Sequence, residues 1–276
     1  MAYNPATSKG QGSDSIDPSV LGLPFLTIIQ KGSPEFDETH AKHSVKKIEG
    51  CRPGNIVFGP KKKILAQPLL VIPVAQTTLY TEWKPRDQGG GFVGNRSLAV
   101  ANQPGYHRGV PGSPTESKEY VGTNEIIYTI YFMFLFKDGD KWEKGVVSFT
   151  GTQLKHARNW LKTVASVSYA ALPNVRPPMF AAQYQLSTAV ENNARGSWFG
   201  WRVQQDRILD FTTDEALLTL AEASSVQAMA QLPAPSATPA PAITAGGGNV
   251  PDEHLPQPSS KVQGLTPPHP GKIPWA

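Results

Sequence analysis

EIIYTIYFMFLFK, residues 125–137, contains the longest apolar run of the chain and governs how the rest is read. In an extended backbone Ile126, Tyr128, Ile130, Phe132, Phe134 and Phe136 share one face, and Ile127, Thr129, Tyr131, Met133 and Leu135 share the other. Aromatic and β-branched residues favour a strand. Apolar side chains on both faces require cover on both, so the stretch predicts a central strand. Tyr128, Thr129 and Tyr131 interrupt it, and it falls far short of the ~20 residues that cross a membrane as a helix.

Working downstream, the turn Asp138-Gly139-Asp140 followed by WEKGVVSFT (142–150) predicts a hairpin. A helix is expected over about residues 153–166, capped by Thr150 or Thr152. Its apolar stripe is Leu154, Ala157, Leu161 and Val164; Lys155, Arg158 and Lys162 line another face. The proline-rich connection 172–178 stops it. Strands over 179–188 and 198–204 follow, joined by the polar loop VENNARGS. A last helix begins near Thr213, with a capping box in Thr212 and Glu215. Upstream, LLVIPVAQTTLYTEW (69–83) predicts a strand in which Pro73 marks an edge or a bulge. Residues 84–122, crowded with Gly, Pro, Asn and Ser, read as one long irregular loop. Residues 19–60 give no clear pattern.

Strand, long loop, strand, tight turn, strand, helix, strand, loop, strand is the element order of an OB-fold. The expectation is therefore a mainly β (α+β) chain: a five-stranded OB-fold-like barrel with a helix between strands three and four, a long first loop and a C-terminal helix. In that fold the ligand-gripping loops would be 84–122 and 189–197. Eleven prolines in the last forty-four positions, with few aliphatic residues, predict a disordered tail over 232–276. Residues 1–18 read the same way, leaving 19–231 as a single domain. Cys51 is the lone cysteine, and no secretory signal is visible at the N-terminus; both point to a soluble protein of a reducing, cytoplasmic compartment.

The net charge of +4 is unevenly spread. Residues 51–110 hold eight Lys/Arg against two acids, and residues 150–209 hold seven against two. Two basic segments in a nearly neutral chain suit a polyanionic partner. The stretch TEWKPRDQGGGFVGN (81–95) contains both a G-x-G-x-x-G and an E-x-K. The glycines are separated from the strand by KPRDQ and open no helix, so they do not make a dinucleotide site. Glu82 and Lys84 lack a second carboxylate for a magnesium-dependent nuclease. His40, His43 and Cys51 lack a fourth ligand for structural zinc. Neither a cofactor nor a metal is expected.

What remains is cations interleaved with aromatics. Tyr80, Trp83, Lys84, Arg86, Phe92, Arg96, Tyr106 and Arg108 lie in or beside the first loop. Lys155, Arg158 and Lys162 lie on the helix, and Arg195, Trp198, Phe199, Trp201 and Arg202 lie around the second loop. Single-stranded nucleic acid is bound by this combination, with rings stacking on bases and cations neutralising phosphates. Tyr128, Phe132, Phe134 and Phe136 are expected in the core instead.

VIPVAQTTLYTEWKPRDQGGGFVGN, IIYTIYFMFLF, SFTGTQLKHARNWLK and GSWFGW together resemble the single-stranded DNA-binding proteins of double-stranded DNA bacteriophages, over roughly residues 20–211. The resemblance implies an OB-fold, no cofactor and a non-enzymatic role protecting single strands during phage DNA replication and recombination in the host cell. Such proteins often end in a Gly/Pro linker, an acidic run and a hydrophobic tip that docks partner enzymes. Ile273, Pro274 and Trp275 fit the tip, but Gly271 and Lys272 stand where acids would, with only Asp252 and Glu253 upstream. The alternatives are a metal-dependent nuclease using Glu82 and Lys84, and a virion or assembly protein built on a β-rich domain. Homo-oligomerisation stays open.

Overall fold

The computed structural model describes residues 24–113, 115–169, 174–194 and 196–231, with Arg86 and residues 229–231 followed by backbone alone. The expected disordered segments, Arg195, and Ile273, Pro274 and Trp275 lie outside these residues. The strands are β1 (Leu26–Ile28), β2 (Ile56–Phe58), β3 (Lys63–Leu65), β4 (Leu69–Trp83), β5 (Phe92–Arg96), β6 (Tyr106–Arg108), β7 (Glu119–Val121), β8 (Asn124–Asp138), β9 (Lys141–Thr150), β10 (Ala182–Asn193) and β11 (Gly196–Ile208). The helices are α1 (His43–Lys46), α2 (Leu154–Ser166) and α3 (Glu215–Gln231).

β8 is central, as its two apolar faces require. β4 runs antiparallel along one edge from Phe136 to Glu125, and β9 and β7 share the other. β4 in turn pairs β10 through Leu69–Val71 and β5 through Tyr80–Trp83. Pro73 sits at a register shift between Pro73 and Ala75, so a bulge rather than an edge accommodates its missing N–H. The result is a mainly β protein whose antiparallel sheet curls into a half-barrel. This sheet has eight strands, because three short ones from 84–122 join the five long ones.

The two faces of β8 feed two cores. Inside the curl, Phe132, Phe134 and Phe136 meet Val147, Phe149, Tyr184, Leu186 and Trp201. Trp160 of α2 closes this core, stacked on Phe132 with centroids 4.2 Å apart and planes 7° apart. On the outer face, Ile72, Val74, Met133 and Leu135 lie under α3, whose Leu217, Ala221 and Ala228 form its packed stripe. The expected helix caps are replaced. A 3-10 turn, Gly151–Gln153, leads into α2 without a side-chain cap. α3 starts after Asp214, two residues later than a Thr212 cap would place it.

Residues 24–60, which gave no pattern, join residues 61–65 in a second sheet, β1-β2-β3, that fills the gap of the half-barrel. Among the described residues no ladder joins β9 to β11. Phe25 bridges Val146 of β9 instead, and the Gln30 carboxamide donates to and accepts from the Phe199 backbone of β11 at 2.9 Å each way. Gly145 permits this approach: a Cβ there would lie 2.6 Å from Leu26 Cδ1 and 2.9 Å from the Phe134 ring.

Candidate nucleic-acid interface

The first expected loop is largely ordered strand. β5 pairs the end of β4, and β6 and β7 extend the sheet beyond β8. Because opposed residues in an antiparallel ladder share a face, register sorts the expected binding residues by side.

Tyr80, Glu82 and Arg96 face the inside of the curl with Ile126 and Tyr128. Glu82 is 2% exposed; Arg96 Nε donates to its Oε2 at 2.6 Å and Asn124 Nδ2 to its Oε1 at 2.7 Å. A buried carboxylate demands such partners, so Arg96 is committed to the fold rather than to phosphate. With both Glu82 oxygens engaged and Lys84 exposed, the E-x-K residues do not converge. Tyr80 meets Tyr128 edge-on at 5.6 Å, and burial, with the Glu119 carboxylate, pushes its phenol up to about 12. The Tyr106 hydroxyl donates to Glu119 Oε1 at 2.9 Å. Tyr80 and Tyr106 are thereby part of an inner polar cluster. Arg108, 3.6 Å from Glu119, keeps 76% of its side chain in solvent.

Trp83 and Phe92 are directly opposed on the outer face, edge-to-face at 5.7 Å, with Phe92 44% exposed. Lys84 follows in solvent. Trp83 also lines a pocket with Phe25, Tyr131, Ser148 and Thr150. From Thr150 the Gly151–Gln153 turn leads directly to α2, so this pocket and the cations of α2 are neighbours along the chain.

Lys155, Arg158 and Lys162 are all exposed on α2, opposite the face that buries Ala157 and Trp160. Their segment is fastened to the β10–β11 hairpin by Glu191, which the sequence reading did not single out. Glu191 is 6% exposed and receives Arg202 Nη1 at 2.8 Å, His156 Nε2 at 2.5 Å and Lys155 Nζ at 3.2 Å. Burial alone would raise its pKa, but the hydrogen bonds from Arg202, Lys155 and His156 outweigh it and hold the carboxyl at about 2. Burial keeps the His156 imidazole below its usual value. Beside it, Gln153 Oε1 accepts from the Trp201 amide at 2.8 Å.

Most of the second expected loop is strand instead, because β10 extends to Asn193 and β11 begins at Gly196. Trp201, 5% exposed and packed near Phe149, belongs to the core and offers no stacking face. Trp198, on the opposite face of β11 from Trp201, is half-buried; Arg202 keeps 42% of its side chain in solvent beside Glu191. Phe199, another aromatic of this expected set, is half-buried and receives the Gln30 clamp at its backbone. No group of three or more His, Cys, Asp and Glu suited to a metal occurs among the described residues, and none of their helices is long and apolar enough to cross a membrane.

No curated protein and no solved structure matches the chain. Residues 2–231 match a family of phage proteins, and that match ends on the last residue of α3. The chain belongs to the Pam3 phage gp34-like protein family.

Proposed function

We propose that this protein is a non-enzymatic single-stranded DNA-binding protein acting in phage DNA replication or recombination, and that its half-barrel is a variant OB barrel. The element order supports the barrel reading: the five long strands β4, β8, β9, β10 and β11 carry α2 between the third and fourth. The observation that carries the function is the cationic stripe of α2. Arg158 and Lys162 have no carboxylate partner among the described residues, and the outer face of the sheet presents Trp83 and Phe92, with Lys84 in solvent beside them. Cations would neutralise phosphates while the rings stack on bases. The terminal Ile273-Pro274-Trp275 would then serve replication or recombination partners. The nuclease alternative has weaker support, since Glu82 is buried against Arg96 and Asn124.

Titration of labelled oligo-dT at several salt concentrations tests the reading. Sub-micromolar binding that falls steeply with salt is expected, weakened by Trp83→Ala and by the Lys84→Ala/Arg86→Ala double variant. Absence of binding at low salt would refute it.

A further inference from the structure

Four ladders place one residue from each of five strands in a single transverse row. His107 of β6 opposes Tyr120 of β7, Tyr120 opposes Glu125 of β8, Glu125 opposes Trp83 of β4, and Trp83 opposes Phe92 of β5. Directly opposed residues point to the same side, so all five stand on the outer face. The rings meet in two pairs: His107 and Tyr120 stack at 5.2 Å with planes 15° apart, and Trp83 meets Phe92 edge-on. At ~4.8 Å between strands, the row crosses roughly 19 Å of sheet. α3 covers the other end of this face, over Met133 and Leu135, whereas His107 and Phe92 are exposed and Tyr120, Glu125 and Trp83 half-buried. The one acid in the row is matched, with Lys118 Nζ 2.7 Å from Glu125 Oε2.

Resting on the DNA-binding reading above, we infer that this row is a base-stacking platform for single-stranded DNA, and that His107 and Tyr120 extend it beyond Trp83 and Phe92. Four partly solvated rings at a free sheet end have no packing duty that calls for a row. Aromatics spread across a sheet are a recurrent means of splaying and stacking two or three bases. The strand would run across the β-strands, with one pair of rings on either side of the Lys118–Glu125 ion pair. Rings contribute without neutralising phosphate, so their loss weakens binding and leaves its salt dependence in place.

The test is oligo-dT titration of the full chain carrying Tyr120→Ala, His107→Ala, Tyr120→Phe or His107→Phe, with circular dichroism as the check on folding. The alanine variants should each weaken binding by about fivefold or more, the lower end for a stacking contact. The phenylalanine variants should stay near wild type, and the slope of log affinity against log salt should be unchanged. Wild-type binding with unaltered alanine variants overturns the platform alone. Equal losses for Tyr120→Phe and Tyr120→Ala overturn stacking as its mechanism. Failure of the wild type to bind overturns the proposed function and the platform with it.

Discussion

Replacing Glu191 by glutamine keeps the shape of the side chain and removes the charge that joins α2 to the β10–β11 hairpin. The carboxyl sits at about 2 in the folded protein against an ordinary 4.5. Taken alone, that difference corresponds to about 3 kcal/mol. Lys155 and Arg202 keep 60% and 42% of their side chains in water and rehydrate when the carboxylate is lost, so a cost of roughly 1–2 kcal/mol at pH 7 is the expectation. A depressed carboxyl stabilises the fold fully above its unfolded value. That contribution is lost as pH falls through the folded one. The gap between wild type and Glu191→Gln should therefore be full at pH 7, narrow below about 4.5 and close near 2. Urea denaturation of both proteins at pH 7, 4 and 2.5 measures it. A variant as stable as wild type at pH 7, or a gap that ignores pH, would refute the reasoning.

Gly200→Ala should cost about 1–3 kcal/mol in a thermal melt, because the new Cβ would lie 2.5 Å from both Gln153 Nε2 and Glu191 Oε1. Trp160→Ala opens a void against Phe132, Phe149 and Tyr184, and a loss of about 3–5 kcal/mol by denaturant titration is expected. Burial lowers the His156 pKa; the stability this brings is complete above its unfolded 6.5 and is lost as pH falls through the folded value. His156→Gln should flatten the first acid-sensitive step of a stability–pH profile, above the Glu191 step. Alanine at Lys155, Arg158 and Lys162 together should weaken oligo-dT binding and reduce the magnitude of its salt slope by roughly 2, provided each cation meets a phosphate.

The long elements were legible because their signals are local. A two-sided apolar run such as 125–137 has few other places to go than the middle of a sheet, and Leu154, Ala157 and Leu161 announce the face α2 buries. Pro73 announced an edge or a bulge for the same reason, and pairing with β8 on both sides of it along the chain made it the bulge. The strands β1 to β3 and β5 to β7 were not legible: the first three and two of the last have three residues each. Their backbone bonds depend on a partner strand that lies far along the chain, which local propensity does not encode. The site divided along the same line. Residue type alone marked Trp83, Phe92, Lys84 and the α2 cations. It could not separate Arg96, which neutralises buried Glu82, or Trp201, which fills the core, because exposure belongs to the fold. Glu191, His107 and Tyr120 were missed because each gains its meaning from a neighbour on another strand or helix.

By itself, then, the sequence determined a mainly β chain, its five long strands in order with α2 between the third and fourth, and the two basic segments. Hydrophobic period and charge are written residue by residue. Tertiary structure alone decided that β1 fills the gap between β9 and β11, and which cations stay free. It also decided that His107, Tyr120, Glu125, Trp83 and Phe92 share one row. Those outcomes depend on ladder register, and a one-residue slip in any ladder would turn that strand's row residue to the other face.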